Sequence, residues 1–322
     1  MGINGLIPYL IKKVPEVIKP LGSLDSLGGK RVFIDCSMIL RRSLHASIRT
    51  VLERLKFSHS GSSEPFVNLK LLRDDIMKYS VNPLVVLNKS LKAVDVKGGI
   101  ESTFVIGPLE NNETSSKVKD PLYSNILDVK DKELLRRIRE YLKGSTIYTF
   151  YPNPSHTDIN DIANMLMNNF AKVQIRSMDI CKKCVEFCNN NEDYVLSDDT
   201  NAIAYGAPNV IRDYLGSKEP NVINHAEMLK SLGMTRDQFI DFCILLGYKA
   251  NVRIPEIGPE RAFNIIKRYK SLENFLESSL YQQLFKTKKA TELLQKHGME
   301  LGEFTNKFFN PEFRQELMNN LN

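Results

Sequence analysis

This sequence of 322 residues contains no tryptophan, has only five cysteines and lacks long apolar runs. No stretch approaches the ~18 consecutive apolar residues of a membrane-spanning helix, so we expect no membrane partner. The apolar stretch near the N-terminus is also too short for a signal peptide. An odd number of cysteines in a long chain suits a reducing compartment better than a disulfide framework. These absences predict an intracellular protein, nuclear or cytoplasmic.

The sequence also lacks a strong excess of charge of either sign. The 44 Lys and Arg residues against 38 Asp and Glu residues leave a formal net charge of +6. Hydrophobic residues make up 42% and charged residues 25% of the chain, which is typical of a folded protein and excludes a disordered or collagen-like one. The modest positive balance permits a nucleic-acid partner without requiring one.

Short β-branched runs alternate with helical patterns through most of the chain. The predicted strands are Arg31–Asp35, Thr103–Ile106, Thr146–Phe150, Lys172–Ile175, Tyr194–Leu196 and Asn209–Ile211. From about residue 226 onward every predicted element is helical, with a capping box at 235–238 and Pro259 at the first position of a helix. The alternation favours an α/β fold with a mostly parallel central sheet flanked by helices.

Candidate metal ligands are few. Asp35 and Asp199 stand at or just after the C-terminal ends of predicted strands, where ligands bind in parallel sheets. Cys181, Cys184 and Cys188 share one predicted helix, but zinc sites usually need a fourth ligand and a turn between the ligands. We therefore predict that the three thiols face the core.

Several motifs resemble those of the flap endonucleases in the XPG-type 5′-nuclease family. They are Met1–Leu6, the strand–acid–Ser unit Ile34–Met38, Asp199 with Ala204–Pro208, Phe239–Gly247, and Ile257–Ala262 with Tyr269–Leu272. The last pair is similar to the family's helix–two-turn–helix. The resemblance spans nearly the whole chain in order, with 104–160 as its weakest part, and it implies the PIN-like 5′-nuclease fold.

The family cuts DNA with two divalent metals held by seven carboxylates, because each hard cation takes oxygen ligands. Carried over position by position, the resemblance leaves only Asp35 and Asp199 acidic. The other five positions are Ile106, Met178, Ile180, Asn201 and Lys249. The two remaining acids could hold a single metal together with Asp198 or Asp179, or Lys249 could pair with both of them in place of the metals.

The family's nucleic-acid contacts are altered as well. Its stacking tyrosine is Arg41 here, the arch after the second strand lacks clustered basic residues, and the first glycine of the helix–two-turn–helix is Glu256. The resemblance still implies duplex-phosphate contacts at a second set of residues. These are Gly258, Arg261, Lys267, Arg268 and Lys270. Arg41 and Arg42 on the first long helix are either a further patch or a solvated face.

We therefore predict a flap-endonuclease-like protein without catalysis that acts as a binding or scaffolding subunit and keeps weak duplex binding. The alternatives are a divergent metal-dependent 5′ nuclease of DNA replication or repair, and an RNA-associated regulator. Its expected partners are duplex DNA or RNA and a protein, although no sliding-clamp motif is recognisable. We expect no cofactor, or Mg²⁺ if the nuclease alternative holds. The predicted regions are 1–106 (nuclease-like), 107–145 (degenerate arch), 146–250 (nuclease-like) and 251–322 (helix–two-turn–helix and C-terminal helices), packed as one compact unit.

Overall fold

The computed structural model of the chain describes residues 2–40, 43, 81–93, 99–107, 156–168, 171–176, 179–214, 219–248, 254–309 and 314–315. The chain divides into two compact units. The first comprises Met1–Ile34, Lys97–Glu101 and Cys181–Asn322, and the second comprises Asp35–Val96 and Ser102–Ile180. The division into four sequence regions stays a prediction.

The described residues contain seven strands in a mixed, mostly parallel sheet. They are β1 (Ile18–Pro20), β2 (Arg31–Asp35), β3 (Glu101–Ile106), β4 (Lys172–Ile175), β5 (Tyr194–Leu196), β6 (Asn209–Arg212) and β7 (Asn221–Asn224). The first unit holds the order β1-β7-β6-β5-β2. Its β2, β5 and β6 are parallel, with Phe33 opposite Val195, whereas β7 is antiparallel to both β6 and β1. In the second unit β3 and β4 are parallel, with Phe104 opposite Val173.

Helices flank these strands. Within the described ranges they are α1 (Leu6–Lys13), α2 (from residue 36), α3 (81–93), α4 (His156–Asn168), α5 (Ile180–Glu186), α6 (Asn201–Tyr205), α7 (His225–Leu232), α8 (Arg236–Gly247), α9 (Pro259–Tyr269), α10 (Leu272–Leu276), α11 (Ser279–Leu284), α12 (Lys288–His297) and α13 (Leu301–Phe308). No helix of the described ranges is long and apolar enough to cross a bilayer.

The core of the first unit forms around α8. Thr235 and Gln238 make the capping box that opens this helix, as the sequence predicted. Every residue from Phe239 to Gly247 is buried, so the helix is covered on all sides rather than along one stripe. Strand β2 is buried from Val32 to Asp35, which is the pattern of a parallel strand covered on both faces.

The C-terminal helices pack through a chain of aromatic rings. Tyr269, Phe275, Tyr281, Phe285 and Phe304 follow one another with ring centroids 5.1–5.7 Å apart. The Tyr281 hydroxyl also lies 2.8 Å from the Thr305 hydroxyl. These contacts join α9, α10, α11 and α13 into one continuous core.

The predicted α/β fold is confirmed, and the predicted strands that lie within the described residues fall within about two residues of their predicted bounds. The two strands that the sequence missed are β1 and β7, the antiparallel ones. Each is short, and neither has the continuous apolar run that marks β2, since β1 has no buried residue and β7 has only Ile223. The predicted strand Thr146–Phe150, the predicted loop beyond Gly107 and most of the first long helix lie outside the described residues.

Candidate functional site

In the second unit, Asp35 ends β2 and is fully buried. Its Oδ1 accepts hydrogen bonds from the backbone N of Ser37 (3.0 Å), the Ser37 hydroxyl (2.5 Å) and the backbone N of Met38 (3.4 Å). A carboxylate that satisfies the first free N–H groups of a helix is an N-cap. Asp35 therefore has a structural role at the start of α2, whatever else it binds.

Two further predicted metal-ligand positions lie in the second unit, and both are apolar. Ile106 is fully buried at the end of β3, and Ile180 is 4% exposed at the start of α5. A Cβ added to Gly107 would lie 2.5 Å from Ile180 Cδ1 and 2.1 Å from the Arg176 carbonyl oxygen. Arg176 N also donates to the Ile106 carbonyl at 2.8 Å. The strand end where the resemblance places carboxylates is closed by a hydrophobic contact.

In the first unit, Asp199 and Asn201 lie in the turn between β5 and α6. Asp199 is 8% exposed, and its Oδ1 accepts a hydrogen bond from Asn201 N at 3.0 Å. Asn201 Oδ1 is buried and has no hydrogen-bond partner among the described residues. This turn keeps a polar character, but the second position of the family's Asp-x-Asp pair carries no charge.

The N-terminal segment packs directly onto this turn. Gly2 has φ +116°, and a Cβ there would lie 2.2 Å from Thr200 Oγ1 and 2.5 Å from Asp199 Oδ1. Ile3 N donates to Thr200 Oγ1 at 2.5 Å. Only glycine permits this approach, which explains Gly2 in the N-terminal motif. Sequence reasoning missed Thr200, because nothing in its local pattern indicates a contact with residues 2 and 3.

The described residues do not fit the family's two-metal centre. No group of three or more His, Cys, Asp or Glu residues in the described ranges could hold a metal ion. Asp198 is engaged elsewhere, since its Oδ1 accepts a hydrogen bond from Asp213 N at 2.7 Å. Met178 and Lys249 lie outside the described residues, so the idea that Lys249 replaces the metals stays a prediction.

The segment before α9 that resembles the family's helix–two-turn–helix is described from Ile254 onward, and the motif itself stays a prediction. Glu256 stands at the position of the family's first glycine and adopts the left-handed conformation, with φ +67°. Gly258 is the N-cap of α9 and Pro259 is its first residue. The Glu256 carboxylate lies 4.0 Å from the Arg261 guanidinium. The acid therefore faces one of the residues predicted to contact phosphate.

Two other predicted phosphate contacts on α9, Lys267 and Arg268, are engaged within the fold. Lys267 Nζ donates to the Gly233 carbonyl oxygen and lies 5.5 Å from the Phe263 ring centroid. The Arg268 guanidinium lies 5.4 Å from the Tyr269 ring centroid. Lys270 ends α9 in the left-handed conformation. The predicted contacts Arg41 and Arg42 lie outside the described residues.

All five cysteines are buried and none forms a disulfide, and the core-facing position predicted for Cys181, Cys184 and Cys188 agrees with their burial. Burial raises the pKa of the Cys188 thiol to about 12, aided by Asp193. The Cys188 thiol is therefore neutral at physiological pH, which argues against a reactive or metal-binding role for this residue.

Two buried titratable groups of the first unit had no signal in the sequence. Burial lowers the pKa of His225 to about 4, with a smaller effect from Arg236. Burial raises the pKa of Asp241 to about 6, although Leu272 N donates to its Oδ2 at 3.0 Å and Arg314 Nε lies 2.9 Å from its Oδ1.

Comparison with curated proteins finds similarity to flap endonucleases. The XPG I-region family model matches residues 182–248. Flap endonuclease 1 of Theileria parva is 25% identical over 281 residues, which is 86% of this chain and 53% of that protein. Flap endonuclease 1 of Leishmania major is 26% identical over 287 residues, covering 86% of this chain and 67% of that protein. The chain thus spans about half the length of the Theileria relatives that it matches.

Solved structures with the same fold come from several nucleases. The catalytic core of Rad2 in complex with DNA substrate has a TM-score of 0.59 at 16% identity, covering 99% of this chain and 86% of that chain. Human GEN1 in complex with Holliday junction DNA has a TM-score of 0.55 at 18% identity, covering 98% and 66%. Flap endonuclease-1 from Methanococcus jannaschii has a TM-score of 0.52 at 17% identity, covering 94% and 96%. These similarities establish the fold.

Proposed function

We propose that this chain is a non-catalytic member of the flap endonuclease and XPG-type nuclease family, a binding or scaffolding subunit with weak affinity for duplex nucleic acid. Both parts of this proposal, the loss of cleavage and the retained binding, can be tested separately.

The observation that carries the loss of cleavage is the contact between Ile180 and the backbone of Gly107, next to the buried Ile106. Two positions at which the family resemblance implies metal-binding acids carry buried isoleucines in this chain, and one of them, Ile180, packs against Gly107. Isoleucine offers no lone pair to a cation, and a close-packed apolar contact leaves no room for water to take the place of the missing oxygen ligands. Asn201 reduces the negative charge further.

The nucleic-acid part of the proposal is supported from two sides. The Rad2 and GEN1 structures that share this fold are complexes with DNA. The net charge of +6 favours a polyanionic partner, although modestly. With two charges of the α9 region turned toward its own structure, we expect such binding to be weak, indifferent to sequence and sensitive to salt.

The second candidate function is a divergent metal-dependent 5′ nuclease. It is favoured by one observation, the unpartnered Asn201 Oδ1 close to Asp199, because an amide oxygen is an acceptable ligand for a hard cation. One carboxylate and one amide supply much less negative charge than is needed to hold the metal ions that stabilise a phosphodiester transition state.

A cleavage assay separates the two candidates. We expect the purified protein to leave 5′-flap DNA intact in Mg²⁺ and in Mn²⁺, while a family member assayed in parallel cuts it. Cleavage that is lost in Asp35→Ala or Asp199→Ala would contradict the proposal and establish the divergent nuclease. Cleavage that persists in both variants would indicate a contaminating nuclease, since neither remaining acid would then take part.

A further inference from the structure

Asp241 is the one charged side chain in the buried stretch of α8. Every other residue from Phe239 to Gly247 is uncharged, and Asp241 is fully buried. Its Oδ2 accepts a hydrogen bond from Leu272 N at 3.0 Å, at the first residue of α10. One carboxylate oxygen therefore helps to begin α10, and a buried charge of this kind also needs a cation close by.

The cation comes from the C-terminal part of the chain. Arg314 Nε lies 2.9 Å from Asp241 Oδ1, and Arg314 Nη1 donates to Glu273 Oε1 at 3.0 Å. The Arg314 side chain is 24% exposed, so its guanidinium lies between the buried Asp241 and the surface. The planar guanidinium thus joins the segment that carries Arg314 to both α8 and α10.

The contact is held by charge more than by close packing. A cavity of about 390 Å³ lies beside Arg314, between α10 and α13, and its lining includes Leu276, Thr305 and Phe309. Asp241 Oδ1 and Arg314 Nε are close, but neither atom completes a hydrogen bond with a described residue. A buried ion pair with incomplete hydrogen bonds barely offsets the cost of removing both charges from water, so the loss of one charge is enough to open it.

The charge of Asp241 is itself variable near neutral pH. Burial raises the pKa of Asp241 to about 6, while a backbone hydrogen bond and Arg314 favour the ionised form and Glu273 and Asp237 oppose it. The neighbouring Cys243 thiol is buried with a raised pKa and stays neutral. Because Arg314 lowers the pKa of Asp241, the ionised carboxylate favours the docked segment, and this preference is lost as pH falls through about 6.

We propose that Asp241, Glu273 and Arg314 form an acid-sensitive latch, which holds the segment carrying Arg314 against α8 and α10 at neutral pH and releases it in acid. The latch lies within the first unit. It goes beyond the proposed function, because it does not depend on nucleic acid. After release, a protonated Asp241 still accepts the hydrogen bond from Leu272 N, so the fold around α8 persists while the segment opens.

Tryptic cleavage measures the release of Arg314 directly, because trypsin cuts after this residue only when the guanidinium has left both carboxylates. The rate of cleavage between Arg314 and Gln315 is followed by intact mass. It is divided by the rate for a synthetic peptide of residues 310–320 at the same pH, which corrects for the pH dependence of the protease. We expect strong protection at pH 7.5 and about tenfold less at pH 5, which is the change that one pKa unit produces.

Three variants locate the effect. Asp241→Asn keeps an acceptor for Leu272 N without the charge, so at neutral pH it should show the low protection of the wild type in acid, with little further change on acidification. Arg314→Lys is still cut by trypsin but cannot bridge both carboxylates, so it should lose protection at neutral pH. The matched control is Glu277→Gln, which removes an exposed charge one turn from Glu273 and should behave as the wild type.

The latch is wrong if protection is the same in acid and at neutral pH, or if the wild-type chain is cut as fast as the peptide at both. Cleavage after Lys267 that accelerates in parallel with cleavage after Arg314 would mean that the whole unit unfolds in acid, which also overturns it. An Asp241→Asn variant that keeps full protection and the full pH response would assign the titration to another group and contradict the inference.

Discussion

The ends of β3 and β5 offer a direct comparison, because the family resemblance places metal-binding acids after both strands. After β3, in the second unit, Ile106 and Ile180 make an apolar environment around Gly107. After β5, in the first unit, Asp199 remains, and its carboxylate accepts a backbone hydrogen bond from Asn201. One strand end is hydrophobic and closed, and the other is polar and hydrogen-bonded.

The difference between the two strand ends indicates why an acid is found at some of the family's metal-ligand positions and not at others. Asp35 and Asp199 both accept hydrogen bonds from nearby backbone N–H groups, so each has a structural role that does not require a metal. A carboxylate at position 106 or 180 would be buried at a site now filled by isoleucine, and burying it without a cation is costly. We infer that an acid is kept at positions where it also forms hydrogen bonds within the fold. At positions where only a metal would compensate a buried acid, this chain has isoleucine.

The largest expected effect comes from restoring an acid at the closed strand end. Ile106→Asp should lower the free energy of unfolding by about 3–5 kcal/mol, because it buries a carboxylate without a partner. The matched control is Ile106→Val, which removes one methylene and should cost only about 1 kcal/mol. Urea unfolding of the two variants measures both values. If Ile106→Asp unfolds like the control, and Mg²⁺ stabilises it, the strand end is an open site and the comparison is wrong.

A similar contrast between a partnered and an unpartnered buried group exists inside the first unit. Asp241 accepts a hydrogen bond from Leu272 N, whereas His225 Nε2 has no hydrogen-bond partner in the described part of the chain. Since the pKa of Asp241 is raised to about 6, its folded form holds a proton more tightly than the unfolded chain does, and stability rises as pH falls from about 6 to 4. Since the pKa of His225 is lowered to about 4, stability is lost as pH falls from about 6.5 to 4.

The two buried groups should therefore oppose each other in acid, each by about 3 kcal/mol. Asp241→Asn removes the gain, so this variant should lose stability on acidification more steeply than the wild type. His225→Gln removes the loss and should be the less acid-sensitive protein. Urea midpoints measured between pH 4 and 7 give both slopes. Parallel curves for all three proteins would show that neither group is buried as described.

A smaller effect is expected at the capping acid of the second unit. Asp35→Ala removes the acceptor for Ser37 and Met38 and should cost about 1–2 kcal/mol of stability. Asp35→Asn keeps an acceptor oxygen and should cost less than half as much. Thermal melting in the absence of divalent metal compares them. Equal losses in the two variants would mean that the charge of Asp35, and not its capping bonds, is what the fold needs.

Much of this architecture was readable from the sequence. Buried strands such as β2 have unbroken apolar runs, and the capping box at Thr235 identifies the start of α8. The loss of charge at positions 106, 180 and 201 was equally readable, since it needs only the residue types. The contact of Gly2 with Thr200 was not, because it joins residues almost two hundred positions apart. Neither was the engagement of Lys267 with the Gly233 carbonyl, since a basic residue on a helix reads the same whether it faces solvent or a neighbouring loop.

The most direct test of the central claim is a metal titration followed by thermal melting. In a protein whose acids bind a metal, excess metal at about 100 times its Kd adds about 2.7 kcal/mol of stability, which corresponds to a rise of several degrees. For this chain we predict that Mg²⁺ and Mn²⁺ leave the melting temperature within about a degree of a sodium chloride control at equal ionic strength. A rise of several degrees that disappears in Asp199→Asn would show that a metal site persists and would contradict the account.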